Sequence, residues 1–209
     1  MGRRLPIKTL FLDVGGVLLT DGWDRRARRR AAAAFELELA PMEERHHLIF
    51  ETFEAGSVTL DDYLRLVVFW EARPFTRAQF RQFMFAQSHP HKDMLDLVGA
   101  LRARHRLKVV VVSNEARELN QHRIRAFRLG GIVDTFVSSC FVHIRKPDAE
   151  IFRIALDVAQ TPPRQVLYVD NTPMFVSVAE RLGIRSVLHT SYSTTKATLE
   201  SFGLDGDPP

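Results

Sequence analysis

The sequence predicts an α/β fold in which a doubly wound parallel sheet carries helices on both faces and a helical unit is inserted after the first strand. Three observations predict it. Five short segments are dense in Val, Leu, Ile or Phe, several as continuous apolar runs of the kind a strand buried on both faces requires. Amphipathic helical patterns lie between them, and alternation of strand and helix implies parallel pairing. The stretch from about Thr20 to Ser88 breaks the alternation, reading as helices without a convincing strand.

The strand candidates are Lys8 to Asp13, Leu107 to Val112, Thr135 to Cys140, Gln165 to Asp170 and Arg185 to His189. Of the intervening helices, Asp93 to Arg104 aligns Met94, Leu95, Leu97, Val98 and Leu101, and Glu118 to Arg128 aligns Leu119, Ile124 and Phe127. Pro147 suits the first turn of a third helix, with Ile151, Phe152, Ile154, Ala155 and Val158 as its inner stripe. Within the insert the pieces are approximately Asp24 to Leu37, Pro41 to Glu54, Leu60 to Trp70 and Arg77 to Ala86, punctuated by Gly56 and Pro74. Thr59, Asp61 and Asp62 suit a helix start, where a hydroxyl caps free amides and carboxylates face the positive dipole end. The expected division is a core of residues 1–19 and 89–209 around an insert of residues 20–88 that acts as a lid. The tail from Gly203 to Pro209 is expected to fray.

At 209 residues, one core with a substantial insertion is the economical expectation. A hydrophobic fraction of 45% and a charged fraction of 26% are those of a soluble globular protein and exclude disordered, collagen-like and coiled-coil classes. No apolar run approaches the roughly 20 residues a bilayer span needs, and MGRRLPIKTLFLDV lacks a signal-peptide cleavage site, so a cytoplasmic location without membrane contact is expected. Cys140 has no partner for an internal disulfide and lies in an apolar run, which reads as core packing. The net charge is a modest +4, and the run Arg25, Arg26, Arg28, Arg29 and Arg30 reads as a solvated helix face. No recognition-helix pattern or zinc-ligand spacing accompanies it, which disfavours nucleic acid as a partner.

Polar residues that a core does not need end three of the strands: Asp13, Ser113 with Asn114, and Asp170 with Asn171. The loop His143 to Asp148 adds Lys146. Singly, each is explained by a cap, a turn or a solvated charge. Jointly, two carboxylates, a hydroxyl, an amide and an ammonium above one sheet edge are how an open α/β sheet builds a site, since ligands sit beyond the carboxyl ends of its strands.

On these residues the sequence resembles the haloacid dehalogenase superfamily of hydrolases, whose core is Rossmann-like. Phe11-Leu12-Asp13-Val14-Gly15-Gly16-Val17-Leu18 is similar to its first motif, Ser113-Asn114 to its second, Lys146-Pro147-Asp148 to its third and Val169-Asp170-Asn171 to its fourth. The insert resembles the family's helical C1 cap, as in its subfamily I. The resemblance implies a phosphatase of small phosphorylated metabolites in which Asp13 attacks phosphorus, giving an aspartyl-phosphate that water hydrolyses. It further implies Mg²⁺ held by the carboxylates of Asp13 and Asp170 and the Gly15 backbone carbonyl. Ser113, the Asn114 backbone and Lys146 would bind the phosphoryl oxygens, with Lys146 shielding Asp13 from its anionic target.

Two departures qualify it. Gly15 stands where the family's phosphatases carry a second Asp as general acid and base, a contribution worth about 10²- to 10⁴-fold. Slow turnover or a preference for good leaving groups, such as acyl, aryl or sugar 1-phosphates, is therefore expected; His46 or His47 is the candidate substitute. Asn171, where the family often has Asp, keeps hydrogen-bonding capacity beside the metal but removes a charge, and Phe175 would pack under the site. Because Gly15 suits a halide leaving group equally, a 2-haloacid dehalogenase is the alternative within the superfamily. A catalytically weak phosphate-binding or regulatory protein is the alternative outside enzymology. The orientations of Trp23, Phe50, Phe53, Phe69 and Trp70, and whether Phe80, Phe83 and Phe85 form a dimer stripe, are not legible, and neither is the oligomeric state.

Overall fold

The computed structural model describes residues 5–205. In chain order the elements are β1 (Thr9–Leu12), α1 (Arg25–Ala34), α2 (Leu39–Glu54), α3 (Leu60–Val67), α4 (Arg77–Phe85), α5 (Lys92–His105), β2 (Lys108–Ser113), α6 (Arg117–Ala126), β3 (Thr135–Ser138), α7 (Ser139–Val142), α8 (Glu150–Ala159), β4 (Val166–Asp170), α9 (Pro173–Arg181), β5 (Arg185–Leu188) and α10 (Tyr192–Ser201). The strands form one sheet in the order β3-β2-β1-β4-β5, with every neighbouring pair parallel. This is the Rossmann-like α/β architecture expected from the apolar runs.

Val109 to Val112 in β2 and Val166 to Val169 in β4 are buried on both sides because separate clusters cover the two sheet faces. Alternation divides their residues. Leu10, Leu12, Val109 and Val111 join one cluster with Leu97, Val98 and Leu101 of α5, while Phe11, Val110 and Tyr168 join the other with Ile151, Phe152 and Ala155 of α8. Burial of each such Val or Leu is worth roughly 1.5–3 kcal/mol.

Between β1 and α5 lie α1 to α4, which bury a further cluster around Trp23, Phe53, Tyr63, Leu64 and Phe80. Three of these helices have a local cause for their start. Asp24 accepts from the Ala27 N–H at 2.7 Å, Thr59 caps α3 through the Asp62 N–H, and Thr76 with Gln79 closes a reciprocal capping box on α4. Phe80 is buried, and Phe83 and Phe85 pack partly against the same cluster, so this trio spends its apolar surface inside the chain. Trp70 is 44% exposed beneath the Arg45 guanidinium, and Phe69 packs partly against the same core.

Several local expectations are corrected. β3 stops at Ser138, and Cys140 enters α7; there the thiol is buried and burial pushes it up to about 12, as suits a packing residue. Pro147 lies in the turn before α8 instead of opening it, because the Asp148 carboxylate takes the Glu150 N–H at 2.9 Å and sets the start there. Val158 is 49% exposed, off the stripe that faces the sheet. Arg28 leaves the solvated face expected of its run: α1 turns Ala27, Arg28, Ala31 and Ala32 inward, and Arg28 is compensated by Glu43 at 2.6 Å and the Trp23 carbonyl at 2.8 Å. Leu204 is buried in the core, and Asp205 pairs with Arg104, so fraying does not begin at Gly203; residues 206–209 lie outside the described residues.

One buried cation joins the insert to the sheet. Arg123 of α6 donates to Glu115 at 2.5 Å, to Ser88 Oγ at 3.0 Å and to the Thr20 carbonyl at 2.8 Å, gripping both segments through which the chain enters and leaves the helical insert. Gly22 has a backbone angle φ of +71°, and a Cβ there would meet Arg123 Nη2 at 1.9 Å, so only glycine leaves room for the guanidinium. Replacing Arg123 by Met would leave the Glu115 carboxylate buried without its cation, at a cost of about 3–5 kcal/mol. Urea unfolding of Arg123→Met and of the double variant Arg123→Met/Glu115→Leu checks this, the double variant being expected to lose less than the single one.

Candidate functional site

Adjacent parallel strands in register bring the two strand-end aspartates together. Leu12 pairs with Val169, and the Asp13 N–H continues the ladder to the Val169 carbonyl at 3.0 Å, so one further step sets Asp13 across from Asp170. Lys146 Nζ fills the space between them, donating to Asp13 Oδ1 at 2.9 Å and to Asp170 Oδ2 at 2.6 Å, with its side chain 1% exposed. The solvated-charge reading of Lys146 therefore fails. Its backbone is clamped as well: the Lys146 N–H donates to Asn114 Oδ1 at 2.8 Å, and Asn114 Nδ2 donates back to the Lys146 carbonyl at 2.9 Å. Below the ammonium lies the Phe175 ring, its centroid 4.8 Å from Nζ, as expected for a residue packing under the site.

Tyr168 was not among the residues singled out from sequence, yet it completes this centre. It precedes Asp170 by two positions, and strand alternation puts both on one face. Its hydroxyl donates to Asp170 Oδ2 and accepts from Lys146 Nζ at 3.2 Å, while Asp170 Oδ1 accepts the Thr172 N–H at 2.7 Å. Ser113, at the end of β2, is buried and donates to Glu115 at 3.4 Å.

The electrostatics show incomplete compensation. Burial opposes the charge on Lys146, but Asp13 and Asp170 outweigh it and hold the ammonium above its ordinary value. Burial pushes the Asp13 carboxyl up; Lys146 opposes that shift, but Asp170 reinforces it and the net direction is upward. An isolated Asp–Lys pair would lower the Asp. The opposite sign follows first from burial, to which the second carboxylate sharing the ammonium adds its surplus of negative charge.

That surplus suits a hard cation, and the oxygen donors suit it too. The Leu19 N–H donates to the Val14 carbonyl at 2.9 Å and the Gly16 N–H to the Leu19 carbonyl at 2.7 Å, a bridge that leaves the Gly15 carbonyl out of its pairing. Among the described residues no three His, Cys, Asp or Glu side chains group as a metal cage, so a cation here would rest on two carboxylates, a backbone oxygen and water. Beside this turn, a Cβ on Gly15 would lie 3.5 Å from both the Cα and Oδ1 of Asp21. A Cβ on Gly16, whose φ is +70°, would strike Asn171 Nδ2 at 1.9 Å. Asn171 thus packs against the turn, and Asp21 borders the space where a side chain at position 15 would begin.

A cavity of about 260 Å³ opens between the helical insert and the strand ends, with Asp21 and Asn114 in its wall. A larger hollow of about 530 Å³ beside Leu48 and Trp70 shares none of these residues and lies on the insert alone. His46 of α2 lines the site cavity, and burial, reinforced by the Arg28 guanidinium, pushes its imidazole down to about 4. A histidine that is neutral at pH 7 is a poor proton donor, which weighs against His46 as the acid missing at Gly15. His47 lies exposed beside Phe50.

An open parallel sheet whose strand ends gather buried aspartates around a lysine at the point where the strand order reverses is the arrangement of an α/β enzyme with a candidate site there. The chain belongs to the haloacid dehalogenase-like hydrolases: the model of that family matches residues 7–185. It is a hydrolase by that membership. No curated relative matches it. Among solved structures it is similar to a haloacid dehalogenase family enzyme of Bacteroides thetaiotaomicron at 22% identity, over 95% of this chain and 99% of that one, with a TM-score of 0.76. The same enzyme in complex with magnesium and inorganic phosphate matches at 23% identity, over 87% and 93% of the two chains, with a TM-score of 0.71. The L-2-haloacid dehalogenase of Xanthobacter autotrophicus with chloropropionic acid covalently bound matches at 17% identity, over 97% and 85%, with a TM-score of 0.62. At these identities the likeness is one of fold.

The environment of His46 has a measurable consequence. An unfolded chain binds its proton near 6.5 and the folded one only near 4, so the unfolded state holds more protons between those values and stability rises with pH across them. His46→Gln should flatten that part of the pH profile of the urea midpoint relative to wild type, and an unchanged slope would count against a buried neutral imidazole.

Proposed function

We propose that the protein is a Mg²⁺-dependent phosphatase of small phosphorylated metabolites that works through an aspartyl-phosphate on Asp13. The observation that carries this reading is the Lys146 ammonium held between Asp13 and Asp170 under almost complete burial. A carboxylate aimed at a phosphate dianion is repelled by it, and a fixed buried cation reverses that repulsion where charge develops.

In the first step Asp13 Oδ forms a bond to phosphorus as the bond to the leaving oxygen breaks. In the second, water attacks the same phosphorus and returns the carboxylate with inorganic phosphate. Lys146 orients Asp13 and meets the phosphoryl oxygens, joined by the Ser113 hydroxyl and the Asn114 backbone. Asn114 has a second task, since its side chain fixes the Lys146 backbone from both sides. Asp13, Asp170 and the Gly15 carbonyl would hold Mg²⁺, which supplies Lewis-acid neutralisation of phosphoryl charge. Asn171, packed on Gly16, supports the turn without adding a charge to it. The helices of residues 20–88 act as the lid that excludes water, with residues 1–19 and 89–209 as the catalytic core.

Gly15 brings no carboxyl to the leaving oxygen, so departure of an unprotonated group limits the rate. A dehalogenase reading shares that feature but needs no metal, and its substrate carries no phosphorus. Phosphate release from a panel of phosphorylated metabolites with Mg²⁺, with and without EDTA, tests both readings. Wild type should turn over aryl and sugar 1-phosphates faster than alkyl monoesters, by about 10²-fold or more. Asp13→Asn and EDTA should each abolish release. Equal turnover by wild type and Asp13→Asn would reject the reading, and halide release from 2-haloacids insensitive to EDTA would favour the dehalogenase.

A further inference from the structure

Within the site cavity one donor has its proton placed by a relay that begins in the insert's core. The Trp23 Nε1–H donates to the Tyr63 hydroxyl oxygen at 2.8 Å, and that hydroxyl lies 2.8 Å from His46 Nδ1. Tyr63 is fully buried, so its own proton needs an acceptor, and among the described residues Nδ1 is the one within reach. Nδ1 is then the unprotonated nitrogen, and the neutral ring carries its hydrogen on Nε2. Burial and Arg28, which keep the imidazole neutral, agree with this tautomer. The faces nearest the ring are Phe50, 5.5 Å centroid to centroid, and Tyr63 at 5.9 Å.

The rest of the wall is mixed in the same sense. Phe50 and Phe53 give it aromatic carbon, Phe53 stacked on Tyr63 at 4.1 Å and Phe50 beneath the Arg145 guanidinium at 5.0 Å, whereas Asp21 is an acceptor and Arg25 a donor, neither engaged in a hydrogen bond or ion pair among the described residues. Other charged groups there are already committed: Asp24 caps α1, Arg28 binds Glu43, and Glu54 binds Arg145 at 2.7 Å. A wall of aromatic carbon with separate donors and acceptors matches a ring bearing several hydroxyl groups, each able both to give and to take a hydrogen bond. Because Asp21 borders Gly15 and Asn114 clamps Lys146, the cavity adjoins the Asp13 loop where a leaving group would lie.

We infer that this cavity receives the sugar portion of a sugar 1-phosphate and that His46 is a specificity-determining residue, presenting a fixed neutral Nε2–H to a sugar hydroxyl oxygen. The inference rests on the phosphatase reading and narrows its substrate. A sugar 1-phosphate leaves as a hemiacetal oxygen, more acidic than a simple alcohol, which suits a site without an acid at position 15.

The test compares kcat/KM for glucose 1-phosphate and phenyl phosphate in wild type, His46→Leu and His46→Gln, with Mg²⁺ present. Both substrates report on the same Asp13 chemistry, so their ratio isolates the leaving-group contact. In His46→Leu the glucose 1-phosphate to phenyl phosphate ratio should fall about tenfold, mainly through KM, as loss of one hydrogen bond requires. Glutamine places an amide N–H near the Nε2 position, so His46→Gln should recover the ratio to within about threefold of wild type. A ratio unchanged in His46→Leu, or one that His46→Gln fails to recover, would overturn the assignment. So would a wild type that hydrolyses phenyl phosphate but not glucose 1-phosphate, and this would leave the phosphatase reading standing. A wild type that releases phosphate from neither, nor from any metabolite of the panel, would overturn the phosphatase reading itself.

Discussion

The Lys146 ammonium between Asp13 and Asp170 is the contact on which the remaining geometry depends. Two buried carboxylates on neighbouring strand ends repel each other strongly in a medium that screens poorly, and one cation at 2.9 and 2.6 Å makes their proximity tolerable. The cation must then be fixed. Asn114 holds its backbone with two hydrogen bonds, Tyr168 and Phe175 hold its head, and Tyr168 also occupies an oxygen of Asp170. Partners therefore come from the ends of β1, β2 and β4, the loop before α8 and the first turn of α9. A parallel sheet is what brings segments so distant in sequence to one edge.

Compensation at that centre stops short of neutrality, and the shortfall is what makes it a candidate for chemistry instead of a structural ion cluster. A cluster built for stability would match its charges, as Arg123 and Glu115 do, with further neutral acceptors on the guanidinium. Here one positive charge faces two negative ones, and the Asp13 carboxyl is pushed up despite its lysine. A divalent cation would turn that single negative surplus into a single positive charge, which a phosphate dianion is drawn to. The matched pair has a different place in the fold: Arg123 grips the Thr20 and Ser88 ends of the helical insert, and Glu115 follows directly on Asn114, so the anchor of the insert's ends and the clamp on Lys146 are neighbours in the chain.

Much of the sheet was legible because strands buried on both faces must be apolar throughout, as Val109 to Val112 are, and because three of these runs end in residues a core would not choose. The positions of Asp13, Ser113 and Asp170 followed from that alone. Properties created by tertiary contact were not legible. Nothing around Arg28 in a run of arginines signals that Glu43, fifteen positions on, will draw it inward. The burial of Lys146 depends on Asn114, 32 residues away. Tyr168 could have been found, since alternation places it on the face of Asp170, but an aromatic in an apolar strand reads as packing. Asp21 reaches Gly15 through a turn whose path has no periodic signature, and the tautomer of His46 is set by Tyr63 and Trp23 from other elements. Pro147 misled for a local reason, since Asp148 supplied the helix start that the proline was expected to mark.

Whether Asp13 bonds to phosphorus is decided by acid-quenched labelling. Protein mixed with Mg²⁺ and a ³²P-labelled sugar 1-phosphate, quenched during turnover and digested, should carry hydroxylamine-sensitive label on the peptide containing Asp13, and Asp13→Asn should carry none. Label on another residue, or label that persists in Asp13→Asn, would rule Asp13 out as the nucleophile.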